Sequence, residues 1–239
     1  VSLAVAVILF EGSLTLHFSE IRDLQRVVRN MLTIGTLITW GSIAVATHWL
    51  MEFSWPLSFL FGALVVVTGP TVIVPMLRTV RPNQKISNIL RWEGIVIDPL
   101  GALLAVLVFD FIISSQSGHG GDFGHVFKAF GAIVVTGVVA GAVAGYLLGV
   151  ALRRYLIPEF LHNFVTLTLV FGVFTLANGI MEESGLLAVT VMGMWLANMK
   201  RVPLEGILHF KESLSMVLIS GLFILLAARL QPEQITQLG

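Results

Sequence analysis

The chain has 239 residues, of which 56% are hydrophobic and only 12% charged, with a mean hydropathy of +0.92. A soluble fold of this size has too little interior to hide that much apolar surface, which leaves an all-α polytopic membrane protein. Fourteen basic side chains balance fourteen acidic ones, so no basic stripe suggests nucleic acid, and the lack of cysteine excludes disulfides and thiolate metal sites.

Apolar runs divided by short polar breaks predict about eight transmembrane helices, near residues 1–16, 31–50, 57–77, 88–114, 127–151, 162–181, 185–199 and 213–230. The first begins at Val1 without a charged leader or cleavage site, and reads as part of a membrane span rather than a signal peptide. It ends in Glu11–Gly12–Ser13, an acid near the cytoplasmic end that either snorkels to the interface or faces an internal cavity. The third run contains Thr68–Gly69–Pro70–Thr71–Val72–Ile73–Val74–Pro75. Two prolines without donors and a permissive glycine predict a broken helix, whose freed backbone is tolerated only against protein or a water-filled cavity. Interrupted helices of this kind bind ions in transporters through carbonyls and helix ends; a simple proline kink is the alternative.

The fourth run holds Glu93–Gly94–Ile95–Val96–Ile97–Asp98–Pro99–Leu100–Gly101. Asp98 lies roughly ten residues into the run, hence about 15 Å deep, near the middle of a bilayer core of about 30 Å. An acid at that depth points to a pathway for ions or protons. Pro99 removes the backbone bond to the Ile95 carbonyl beside it. Gly94 and Gly101 share the Asp98 face, so a neighbouring backbone can approach there. In such a cavity desolvation favours the neutral acid and a bound cation favours the carboxylate, so one group can hold a proton or a monovalent cation in turn. Glu93 sits about 140° around the helix from Asp98 and reads as the partner of a basic side chain from another helix, although this chain offers no Arg or Lys at that depth.

The fifth run carries Gly137, Gly141, Gly145 and Gly149 at intervals of four, a stripe for close helix packing. The seventh is too short to cross without its neighbours. With eight spans, the loops at 17–30, 78–91, 152–161 and 200–212 hold every basic residue except Lys128 and Arg229, which places them in the cytoplasm. The six histidines form no metal-ligand pair, and no nucleophile elbow or phosphate loop is present.

The acid-Gly-Ser segment, the Thr-x-Pro broken helix and Glu-Gly-x-x-x-Asp together resemble the NhaP/NHE branch of the monovalent cation:proton antiporters. The similarity runs over essentially all of the chain and includes Gly185–Leu186–Leu187–Ala188–Val189–Thr190–Val191–Met192–Gly193. The resemblance implies that Asp98 binds cation and proton alternately, that Glu93 pairs with an Arg of a later helix, and that Glu11 supports the ion site at one remove. It also implies that Thr68 offers its backbone carbonyl, with Thr71 beside it and Gly69 and Pro70 shaping the break. The family fold has two inverted repeats, so residues 1–239 are expected to be one part of a sodium/hydrogen exchanger transport domain in the plasma (inner) membrane, with a homodimer as the state the resemblance implies. Na⁺ or K⁺ and H⁺ are the implied cargo, with no cofactor. Three positions depart from the family pattern: Gly69 where Asp is common, Ile97 where Asn or Asp is common, and Gly94 where Ser is frequent. These leave ion preference and stoichiometry open. Two other classes remain: a cation channel, for which a carbonyl filter or charge ring is missing, and an intramembrane aspartyl protease, for which a second deep Asp is missing.

Overall fold

A computed structural model describes residues 2–69, 73, 76–77, 79–116, 123–200, 202, 217–221, 223–225 and 227–228. Described residues form no strand, as the composition demands: in lipid only a helix satisfies every backbone group within one segment. Helix α1 spans Ser2–Ser13. Its end is marked by hydroxyls that turn back on the last carbonyls, Ser13 Oγ donating to Phe10 O and Thr15 Oγ1 to Gly12 O, each at 2.7 Å. Helix α2, Gln25–Met51, contains a π turn at Met31–Gly35 and stops where Glu52 adopts a left-handed conformation. Helix α3, Trp55–Val65, opens with a proline in its first turn, where the missing N–H costs nothing. It folds back on α2 at Gly62, where a Cβ would come 3.0 Å from the Trp40 carbonyl and 3.4 Å from the Ala44 nitrogen.

Helices α4 (Gln84–Gln116), α5 (Phe123–Arg153), α6 (His162–Ile180) and α7 (Ser184–Asn198) follow. By length and composition, four helical stretches among the described residues can cross a membrane: Gln25–Met51, Gln84–Ser114, Lys128–Arg153 and Glu159–Ile180. The seven helices overlay seven of the eight expected runs. In the eighth, 213–230, the described residues 217–221, 223–225 and 227–228 are helical, and the loop at 117–122 lies outside the described residues. Large apolar side chains stay exposed around the bundle, among them Trp49, Leu50, Phe164 and Leu176. That is the expected surface of a body whose surroundings are hydrocarbon rather than water.

The core centres on α7. Ala188, Val189, Met192 and Leu196 are fully buried, packed with Leu9 and Phe10 of α1, Leu148 of α5 and Val170 of α6. Fifteen residues span only about 22 Å, so this short helix depends on enclosure by its neighbours. The glycine stripe of α5 supplies much of that enclosure. A Cβ at Gly137 would meet Ser184 and Leu187; at Gly141, Ala188 and Val191; at Gly145, Met192 and Trp195; at Gly149, Met199. Both helices advance in step, so they run parallel with backbones touching. The stripe is packing rather than a ligand groove.

At the other end of the bundle, the turn into α7 is tied by Ser184 Oγ donating to Ala177 O (2.8 Å) and by Gly185 N–H donating to Asn178 Oδ1 (2.7 Å). The C-terminus of α7 is fastened to the chain leaving α1. Asn198 Nδ2 donates to Leu16 O at 2.8 Å, Phe18 N–H donates to Asn198 Oδ1 at 2.7 Å, and His17 Nδ1 lies 3.0 Å from Ala197 O. These two helix ends share one side of the bundle, the side the basic loops assign to the cytoplasm.

Candidate functional site

The site is assembled on α4. Asp98 lies about 21 Å along a helix of about 50 Å, and its side chain is half-buried. Gly94, Ile95, Ile97 and Pro99 around it are buried. Among the described residues Asp98 makes no hydrogen bond or ion pair, so no basic side chain there neutralises it. Pro99 is accommodated without ending the helix, which continues to Gln116. The opening expected beside the acid is therefore confined to the one donor that proline lacks.

The unwound segment sits against this face. Helix α3 closes with Val66 N–H donating to Gly62 O (3.0 Å), and Val66–Gly69 are not helical. Helical bonding starts again with Ile73 N–H on the Gly69 carbonyl at 3.4 Å. The break begins two residues before Thr68, whereas the restriction that Pro70 places on the residue ahead of it accounts for Gly69 alone. Pro70 and Thr71 lie outside the described residues. A Cβ at Gly94 would stand 2.5 Å from Ile73 Cδ1 and 3.4 Å from the Thr68 carbonyl oxygen, and one at Gly101 would strike the Val67 side chain. The close approach expected from the two glycines is thus made by the broken segment itself.

The basic partner expected for Glu93 belongs to a helix outside this chain and is not tested by the contact Glu93 makes here. The neighbour of Glu93 in the structure is no cation: Thr68 Oγ1 donates to Glu93 Oε1 at 2.7 Å. The search for a charge complement overlooked a neutral hydroxyl that the fold brings across from the break. Glu11 is buried at 5% exposure, so it does not snorkel. Its neighbour Gly12 packs on Ile95 of α4, 3.4 Å from where a Cβ would be, which puts the acidic turn of α1 against the helix that carries Asp98. Asp110, by contrast, is exposed near the far end of α4. No group of three His, Asp or Glu side chains able to hold a resident metal occurs among the described residues. The Asn198 fastening was not anticipated; its only signal in sequence is a two-way amide at the end of an apolar run.

The sodium/hydrogen exchanger transmembrane family model matches residues 1–238. The K(+)/H(+) antiporter NhaP2 of Shewanella sp. strain ANA-3 is 23% identical over 236 residues, covering 98% of this chain and 40% of that protein. The probable Na(+)/H(+) antiporter 2 of Methanocaldococcus jannaschii is 23% identical over 238 residues, 93% of this chain and 54% of the relative. The solved structure of the sodium proton antiporter MjNhaP1 from the same archaeon superposes with a TM-score of 0.74 at 21% identity, over 89% of this chain and 52% of that one. The chain therefore spans about half the length of the relatives it matches, or somewhat less, and shares their fold. Matched by the family model over nearly its whole length, the chain belongs to the sodium/hydrogen exchanger transmembrane family.

Proposed function

We propose that this chain carries the exchange centre of a secondary antiporter that moves Na⁺ or K⁺ against H⁺ across the plasma (inner) membrane, with Asp98 as the group that both ions use. The observation that carries this reading is the half-buried Asp98 carboxyl midway along α4, without a basic partner among the described residues. A bare carboxylate there costs several kcal/mol. A proton removes the cost by forming a bond, and a monovalent cation removes it by charge and coordination. One carboxyl cannot hold both well, so the arrival of either releases the other. If only the loaded, neutralised site changes the side it faces, each cation carried one way obliges protons to travel the other.

The other residues serve that competition. The Thr68 carbonyl, beside Gly94 on the same face, is an oxygen ligand for the cation, and Thr71 is a second. Gly69 and Pro70 keep the segment unwound, Gly94 lets it approach, and Pro99 leaves the Ile95 carbonyl free for water or the ion. Glu11 adds negative potential from α1 without contacting the cargo directly. Relatives named as K(+)/H(+) and Na(+)/H(+) antiporters support both cations as cargo. A homodimer of the intact protein belongs to the same reading, and chemical cross-linking in native membranes tests it.

The decisive experiment is dequenching of a pH-sensitive dye in vesicles containing the intact protein, with Li⁺, Na⁺ and K⁺ compared. Asp98→Asn should insert normally and lose cation-dependent proton movement for every ion. Exchange at the parent rate by a correctly inserted Asp98→Asn would overturn the assignment.

A further inference from the structure

We propose that the hydroxyl of Thr68 is a positioning group: through its hydrogen bond to Glu93 it locks the unwound segment onto α4, so that the neighbouring backbone carbonyl is held over the face that carries Asp98. The inference rests on the antiport reading above and adds the device that orders its cation ligands.

Two contacts converge on Thr68 and two more flank it. Its Oγ1 donates to Glu93 Oε1 at 2.7 Å. Its carbonyl oxygen lies 3.4 Å from the position a Cβ would take on Gly94, the next residue of α4 and one turn below Asp98. On either side of it, Ile73 packs over Gly94 and Val67 over Gly101. The two apolar contacts end in side-chain methyl groups, which slide and rotate. The hydroxyl–carboxyl bond is directional and fixes a distance, and it is the only polar tie between the break and α4 among the described residues. Glu93 and Asp98 occupy different faces of α4, so Glu93 acts on the site through Thr68 rather than by touching the cargo.

An unwound segment has no helical bonds of its own to hold its carbonyls in place. Without the tie, the cation must order the segment as it binds, and that cost appears as weaker binding rather than slower turnover. The acceptor needs only an oxygen, so charge at position 93 matters less than the presence of an acceptor.

The test measures cation dependence of exchange in proteoliposomes of the intact protein, for Thr68→Val, Thr68→Ser, Glu93→Gln and Glu93→Leu, with Asp98→Asn in parallel. Thr68→Val keeps the backbone carbonyl and the side-chain shape but lacks the donor. Its half-saturating cation concentration should rise about tenfold, the scale of one lost hydrogen bond to a carboxylate, with maximal rate within about twofold. Thr68→Ser should restore most of the affinity. Glu93→Gln should shift less than Glu93→Leu, and Thr68→Val combined with Glu93→Leu should be no worse than the more affected single variant. The proposal is overturned if Thr68→Val leaves the half-saturating concentration unchanged, if Thr68→Ser is as poor as Thr68→Val, or if the two losses add. Should Thr68→Val reduce folded yield, the Ser variant and the ranking of the two Glu93 variants still decide the matter. Silence of all four while Asp98→Asn is inactive removes the tie alone; exchange surviving Asp98→Asn removes the antiport reading beneath it.

Discussion

Replacing Gly141 by alanine tests whether the α5–α7 seam is closed to its limit. The added methyl would lie against the Ala188 carbonyl oxygen, 3.0 Å from its carbon and 2.9 Å from Val191 Cβ. Two of those three atoms are backbone, so no rotamer change relieves the contact and the helices must part. Overpacking of this kind costs up to about 3 kcal/mol. Alanine returns about 1 kcal/mol of helix propensity, leaving a net loss of about 2 kcal/mol. Gly131 and Gly172 provide the control, because a Cβ at either meets nothing within 4 Å. Gly131→Ala and Gly172→Ala should keep the propensity gain and be neutral or slightly stabilised. In a thermal unfolding series in detergent, followed by size-exclusion fluorescence, Gly141→Ala should melt about 4–8 °C below the parent. A melting point equal to that of Gly131→Ala would refute the backbone contact, and with it the enclosure of α7.

Two further outcomes follow from the same geometry. Asn198→Ala deletes bonds to Leu16 O, Met194 O and the Phe18 N–H and should cost about 2 kcal/mol, read as faster protease cleavage between α1 and α2. Asn198→Asp should not rescue the loss, because it sets a carboxylate oxygen against both carbonyls. Competition for a single carboxyl also fixes the sign of the pH dependence: in the range where the site binds protons, each unit fall in pH should raise the half-saturating cation concentration by up to about tenfold. A half-saturating concentration independent of pH would exclude a shared site.

Much of this architecture was legible in the residues, for reasons that also explain where it was not. The stripe from Gly137 to Gly149 reads correctly because a repeat of four residues has a single geometric meaning on a helix. Helix α2 begins at Gln25, six residues before its apolar run. Hydropathy reports the part of a helix that lipid surrounds, while Gln25, Arg26 and Arg29 only require backbone bonds to be helical. The opposite holds for α3. Valines 66 and 67 continue the apolar run although the helix has ended at Val65, so the break is announced by Gly69–Pro70 and not by polarity. The Glu93 neighbour was missed because charge invites a search for countercharge. A threonine 25 residues away supplies a donor that no pattern of charges reveals.

The same residue type serves opposite ends on α4 and α5. On α5 the atoms facing Gly141 are mainly the Ala188 carbonyl group, and those facing Gly145 include the Met192 carbonyl. Contacts of this kind at Gly141 and Gly145 leave little to absorb a shift there, while along the stripe only Gly149, facing the flexible end of Met199, has soft neighbours alone. On α4 the atoms nearest Gly94 and Gly101 are the tips of Ile73 and Val67, which can rotate as the broken segment moves. In the proposed transport cycle this contrast supplies a fixed scaffold around α7 and, beside the Thr68–Glu93 tie, apolar contacts that can rotate next to Asp98. The contrast predicts that Gly101→Ala costs less stability than Gly141→Ala, because Val67 can turn aside, yet lowers exchange more, because the turned side chain no longer gives way as the segment moves. Measured on the same two variants, a Gly101→Ala protein that melts earlier than Gly141→Ala while exchanging at the parent rate would show the soft contact to be the scaffold, and reverse the assignment of the moving parts.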